Sequence, residues 1–140
     1  MTIYGTPHLE YLFNIYNKDY FNGELPVPLF GIINDLKYFG YFSSSVYCCD
    51  GKSRPLIQIN DSWDYTEKQI RDIMVHEMIH YYLWYKGQDI EVTHGMMFHL
   101  TANRLNRTYG LNITEIINYH EYKLKRGVSK IRLWLTRIFG

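Results

Sequence analysis

The segment DIMVHEMIHYYLWY, residues 72 to 85, sets two histidines and a glutamate in an otherwise apolar and aromatic run. On a helix, His76 and His80 stand four residues apart, with Cβ atoms about 5–6 Å from each other on one face. Both imidazoles can then reach one zinc ion. Glu77 directly follows the first ligand and aims its carboxylate at the open coordination position, as the H-E-x-x-H arrangement requires. Zinc held this way lowers the pKa of a water from about 15.7 toward about 7 and polarises a carbonyl, with Glu77 as general base. Peptide hydrolysis without a covalent intermediate is the matching reaction class. The competing reading is a coincidence in a core helix of a histidine- and tyrosine-rich chain. Against it stands the desolvation cost of an unpaired Glu77 in so apolar a setting.

A catalytic zinc site ordinarily has three protein ligands, and the candidates for the third are Glu91, His94 and His99. Metzincin spacing would need a glycine at 83 and a histidine at 86, where the chain has Leu83 and Lys86, so that class is excluded. Glu91 would complete a two-histidine, one-carboxylate site, but it falls in a loop after Gly87 with no helical frame to fix it. His94 opens the next helix, where an end-on approach is easy and Gly95 lets the backbone come close. His99 would point about 140° away from His94 at roughly 100° per residue, so the two are not expected to share one ion. His94 is favoured, and His99 is expected as a hydrogen-bonded core residue or a neighbour of the ligands.

The elements that must position these residues follow from local signals. Thr66 and Gln69 form a capping box, Ile70, Ile73 and Met74 recur with helical period, and Gly87 can stop the helix, so residues 67 to 86 are predicted helical. A second helix is expected from about His94 to Tyr109, with Phe98, Thr101, Ala102 and Leu105 inward and Gly110 as its stop. Near the start, Thr6 is the expected N-cap and Pro7 the first helical residue, with Leu9, Leu12, Phe13, Tyr16 and Tyr20 inward and an end near Gly23. The runs LFGIIN, YFGYF and LIQIN, divided by Asn34-Asp35 and Asp50-Gly51 turns, read as strands of one small antiparallel sheet. The predicted order is helix, sheet, helix, helix, an α+β fold.

The whole chain bounds what this core can be. Its 140 residues, 46% apolar and 21% charged, suit one globular domain. No run approaches the roughly 18 apolar residues of a membrane-spanning helix. The N-terminal residues carry no secretory signal, and the neighbouring Cys48 and Cys49 could close only a strained ring, so a reducing, cytoplasmic location is expected. A net charge of +1 is unevenly spread: residues 122 to 140 hold six of the fifteen basic groups and no acid, against nine basic and fourteen acidic groups before them. Lys123, Lys125, Arg126, Lys130, Arg132 and Arg137 of this tail could contact phosphates. The favoured alternative is a last amphipathic helix docked through Ile131, Trp134, Leu135 and Ile138, with an anionic membrane surface as a third option.

Three ordered motifs carry a family likeness: YFNGELP at 20 to 26, HEMIHYYL at 76 to 83 and HGMMF at 94 to 98, with NRLNRTYGLNIT at 103 to 114 continuing it. The chain resembles the SprT-like zinc metalloproteases, which include the Spartan DNA–protein crosslink proteases, over about residues 8 to 114. The resemblance implies a zincin-like metalloprotease domain, taken as residues 1–121 ahead of the basic tail that the charge pattern marks over 122–140, and zinc ligands His76, His80 and His94. It also implies Glu77 as catalytic base. Two departures stand out: Met96 replaces a proline common after the glycine, and no cysteine-rich zinc ribbon follows. The expected protein is a monomeric zinc endopeptidase that lays its substrate along an edge strand, with DNA-bound proteins or single-stranded DNA as partners. The alternatives are a non-catalytic zinc-containing DNA-binding adaptor and a peptidase with no nucleic-acid role.

Overall fold

The computed structural model describes residues 2–34, 38–88, 94–117, 119–125 and 127. Helix α1, Thr6–Phe21, starts with Thr6 inside the helix and Gly5 as its N-cap, so Pro7 is one residue further in than expected. The preceding chain is drawn back by a bond from the Tyr4 N–H to His8 Nδ1 (3.2 Å). Leu9, Leu12, Phe13 and Tyr16 of the predicted stripe are buried and Tyr20 is partly buried, and the helix stops at Asn22 in the left-handed conformation. Buried Asn17 reads the chain that follows: its Nδ2 donates to Leu25 O (2.8 Å) and its Oδ1 accepts from Leu25 N–H (3.2 Å). The FNGELP stretch is thereby a fixed corner leading into the sheet.

Strands β1 (Leu29–Ile33), β2 (Gly40–Tyr47) and β3 (Ser53–Asn60) form one sheet in the order β1-β3-β2. The β2–β3 pair is antiparallel, as expected, and turns at Asp50-Gly51. β1 and β3 are parallel, so the sheet is mixed and the expectation of an antiparallel sheet is corrected. The physical reason is burial. β3 carries Ile57 and Ile59, both fully buried, and takes the centre, where both edges are paired. β2 itself supplies the long crossover that a parallel β1–β3 pair needs. Asp35, half of the other predicted turn, lies outside the described residues.

Helix α2, Glu67–Tyr85, opens on the expected capping box, with Gln69 N–H to Thr66 Oγ1 at 3.1 Å and Thr66 N–H to Gln69 Oε1 at 3.0 Å. It closes on Gly87 at φ +68°, where the Gln88 N–H reaches back to Leu83 O (2.7 Å) in a Schellman turn. α2 contacts α1, β2, β3 and the third helix, α3, Met96–Tyr109. Met74, Met78 and Tyr81 are buried, and the Tyr81 hydroxyl donates to Pro26 O (2.8 Å), a structural bond to the corner after α1. α3 buries Phe98, Thr101, Ala102 and Leu105 and stops at Gly110, as predicted, but starts after His94.

Beyond α3, Asn106 repeats the Asn17 device, donating to Ile113 O (3.0 Å) and accepting from Ile113 N–H (2.8 Å). A short ladder then ties β4 (Trp63–Asp64) to β5 (Lys123–Leu124), and Tyr122 packs on Phe39 and Trp63. Neither the ladder nor its partners stood out in the sequence, because two-residue strands carry no periodicity. Arg126, Lys130, Arg132, Arg137 and the predicted last helix lie outside the described residues. No helix among the described residues is long and apolar enough to cross a membrane.

Candidate metal centre

The capping box and Schellman turn fix α2 at both ends, and its interior turns set His76 and His80 on the face toward α3. His94 comes in from the start of α3. The ligand-capable nitrogens of the three lie within 4.8 Å of one another, and among the described residues this is the one such group of three. His94 Nε2 is 3.1 Å from His76 Nε2 and 3.3 Å from His80 Nε2. Zinc–nitrogen bonds of about 2.0–2.1 Å in tetrahedral array separate the nitrogens by about 3.3–3.4 Å, close to the two separations at His94.

Proton bookkeeping points the same way. His76 Nδ1 lies 2.8 Å from Thr114 O, which can only accept, so Nδ1 carries the proton and Nε2 offers a lone pair. With His76 Nε2 unprotonated, no neutral assignment gives a separate N–H to each of the two contacts at His94. A cation shared by the three nitrogens satisfies all of them. Burial lowers the pKa of His76 to about 4 and of His80 to about 3, with neighbouring histidines adding to the shift, and burial also lowers His94. All three imidazoles are therefore neutral near pH 7, the form that binds metal.

Phe98 forms the base of the group. It is 1% exposed, and its ring centroid lies 4.9, 4.8 and 4.8 Å from those of His76, His80 and His94. The Phe of the H-G-x-x-F segment thus packs against the histidine that opens the same segment.

Glu77 is buried beside the β2 edge, and desolvation raises its pKa to about 8. It faces Gly40, where an added Cβ would lie 3.0 Å from Glu77 Oε2. His99 is kept apart from the three ligand-capable nitrogens. Its half-exposed ring meets Glu115 Oε2 at 3.3 Å, while Glu115 Oε1 lies 3.9 Å from His94 Nδ1. His99 is therefore no core residue. Glu91 lies outside the described residues.

Sequence reasoning missed Gly40, Glu115 and the Thr114 carbonyl. An isolated glycine within a strand signals close approach, so Gly40 was open to detection. A backbone carbonyl and a loop carboxylate leave no pattern.

Comparison with known proteins agrees with this geometry. The model of the SprT-like family matches residues 9–117, which include most of α1, the sheet, α2, α3 and the three clustered histidines. The DNA-dependent metalloprotease SPRTN of Bos taurus is 31% identical over 121 residues, covering 83% of this chain. The chain spans 24% of that relative's length. By the extent of the family match, the chain belongs to the SprT-like family.

Proposed function

We propose that this protein is a zinc-dependent endopeptidase with a zincin-like site, in which His76, His80 and His94 hold the metal and Glu77 is the general base. The observation that carries the reading is the convergence of three neutral imidazoles beside a buried carboxylate at a sheet edge. A purely structural site has no need of a base beside its first ligand. When bound, zinc supplies Lewis-acid polarisation of a carbonyl and makes water more acidic.

The chain's own groups supply the rest. Glu77 holds a proton readily, since burial favours its neutral form, and a base of this kind can take a proton from water and pass it to the departing amide nitrogen. Among the described residues β2 ends the sheet and packs against α2, so its outer edge can pair with an extended peptide and bring the scissile bond to Glu77 at Gly40. Phe98 excludes water beneath the imidazoles.

The name of the bovine relative, a DNA-dependent metalloprotease, supports a role for DNA in cleavage, and the family resemblance points to DNA-bound proteins as substrates. The deciding experiment is cleavage of a DNA-bound protein by wild type and Glu77→Gln, with and without single-stranded DNA. Zinc-dependent cutting by wild type alone, stimulated by DNA, is expected. Cutting indifferent to DNA would leave a peptidase with no nucleic-acid role. No cutting by either protein would favour a zinc-containing DNA-binding adaptor.

A further inference from the structure

A cavity of about 290 Å³ opens beside His76, on the side where its Nδ1 meets Thr114. Its position follows from helix geometry. Lys68, Asp72, His76 and His80 form one i, i+4 row along α2, so the row that begins at the histidine pair continues into the cavity. Asp72 lies about 6 Å along the axis from His76, a span comparable with an extended lysine or arginine side chain.

The lining suits such a side chain. Among the described residues, three charged ones border the cavity: Lys68 and Glu121 stand in solvent, whereas the Asp72 side chain is only 14% exposed. Both Arg71 contacts fall on Asp72 Oδ1, from Nε at 3.2 Å and from a terminal nitrogen at 3.1 Å. A carboxylate accepts up to about four hydrogen bonds, so Arg71 and the Asn112 amide leave capacity for one more donor. Burial raises the Asp72 pKa against the pull of Arg71 and Lys68, so a further cation there would be favourable. Ile117 and the Tyr122 ring offer apolar wall to a methylene stem that ends in a charge.

We propose that this cavity is a substrate subsite for a lysine or arginine side chain close to the scissile bond, with Asp72 as the specificity-determining residue. That the ligand is a substrate rests on the peptidase reading; the side-chain preference can be measured without catalysis.

The test uses zinc-loaded Glu77→Gln protein and three otherwise identical alanine-rich peptides carrying arginine, norleucine or glutamate at one position, with binding followed by calorimetry. The arginine peptide is expected to bind at least about tenfold more tightly than the norleucine peptide, the scale of one charge-assisted hydrogen bond. The glutamate peptide should bind most weakly. Adding Asp72→Asn should remove most of the arginine advantage and leave norleucine binding unchanged. Equal binding of the arginine and norleucine peptides, a ratio untouched by Asp72→Asn, or no binding of any peptide overturns the proposal. Should Asp72→Asn fail to fold, amide shifts of Gln69, Asn112 and Thr114 in the Glu77→Gln protein read the same site. Arginine-specific shifts there support the proposal, and their absence overturns it. Failure of wild type to cut any protein would sink the hydrolase and leave a measured binding preference standing.

Discussion

Gly40 and Glu77 are in contact across the interface between β2 and α2: a Cβ at position 40 would lie 3.0 Å from both Cγ and Oε2 of Glu77 and 3.2 Å from the Gln58 carbonyl. The backbone at Gly40 is not in the left-handed region, so the requirement for glycine is one of space. Gly40→Ala should displace the Glu77 carboxylate and destabilise the fold by about 1–3 kcal/mol, as overpacking does. The expected result is a loss of peptidase activity with zinc content unchanged, measured by metal analysis and turnover on one sample. Full activity in Gly40→Ala would separate Glu77 from the chemistry.

The histidines at 94 and 99 make opposite predictions although they share Glu115. His94 brings a nitrogen within 3.1 Å of His76 Nε2 and 3.3 Å of His80 Nε2, whereas His99 meets the Glu115 carboxylate and the Phe98 ring instead. His94→Ala should abolish tight zinc binding, and His99→Ala should leave it nearly intact. Glu115→Gln should fall between them, toward the lower end of the roughly 10- to 100-fold loss that outer partners of metal ligands produce, because its 3.9 Å approach is long. Competition with a chromogenic chelator ranks the three variants. Equal loss in His94→Ala and His99→Ala would sink the ligand assignment.

Asn17 and Asn106 make the same pair of backbone bonds at the ends of α1 and α3, but only one clamp leads to the site. Each removal should cost about 1–3 kcal/mol through backbone groups left unpaired. Asn106→Ala should also weaken zinc binding, since it frees the segment that presents Thr114 O to His76, while Asn17→Ala should not. Urea midpoints and zinc affinity measured on both variants test the contrast. Unchanged zinc affinity in Asn106→Ala would mean that Thr114 is held by other contacts.

The readable parts of the chain were those with strong local signals. α2 was legible because its capping box, its period and its glycine stop agree, and His76, Glu77 and His80 came with it. Phe98 and its neighbours were legible as the inward face of α3. The parallel β1–β3 pairing was not, because nothing local in a short apolar run names its partner. Ile57 and Ile59 take the centre of the sheet through burial, which is settled only when α1 and α2 pack on it. His94 was reachable from the sequence, but its support was not: a main-chain carbonyl on His76 and a loop glutamate near His94 arise from the path of residues 111–115, fixed by Asn106.

The buried tyrosines predict loss of stability in alkali. Burial raises the pKa of Tyr16, Tyr81 and Tyr122 to about 12, and that of Tyr65, whose hydroxyl donates to Asn60 O, well above its ordinary value of 10.0. The native state therefore keeps protons that the unfolded chain releases. Stability is fully present below about pH 10 and falls as pH rises from there through about pH 12. The urea midpoint should hold steady up to about pH 9 and drop by about pH 11. Tyr65→Phe should lower stability at neutral pH, by loss of its hydrogen bond, yet make the alkaline decline shallower. An alkaline decline equally steep in wild type and Tyr65→Phe would place the titrating group elsewhere.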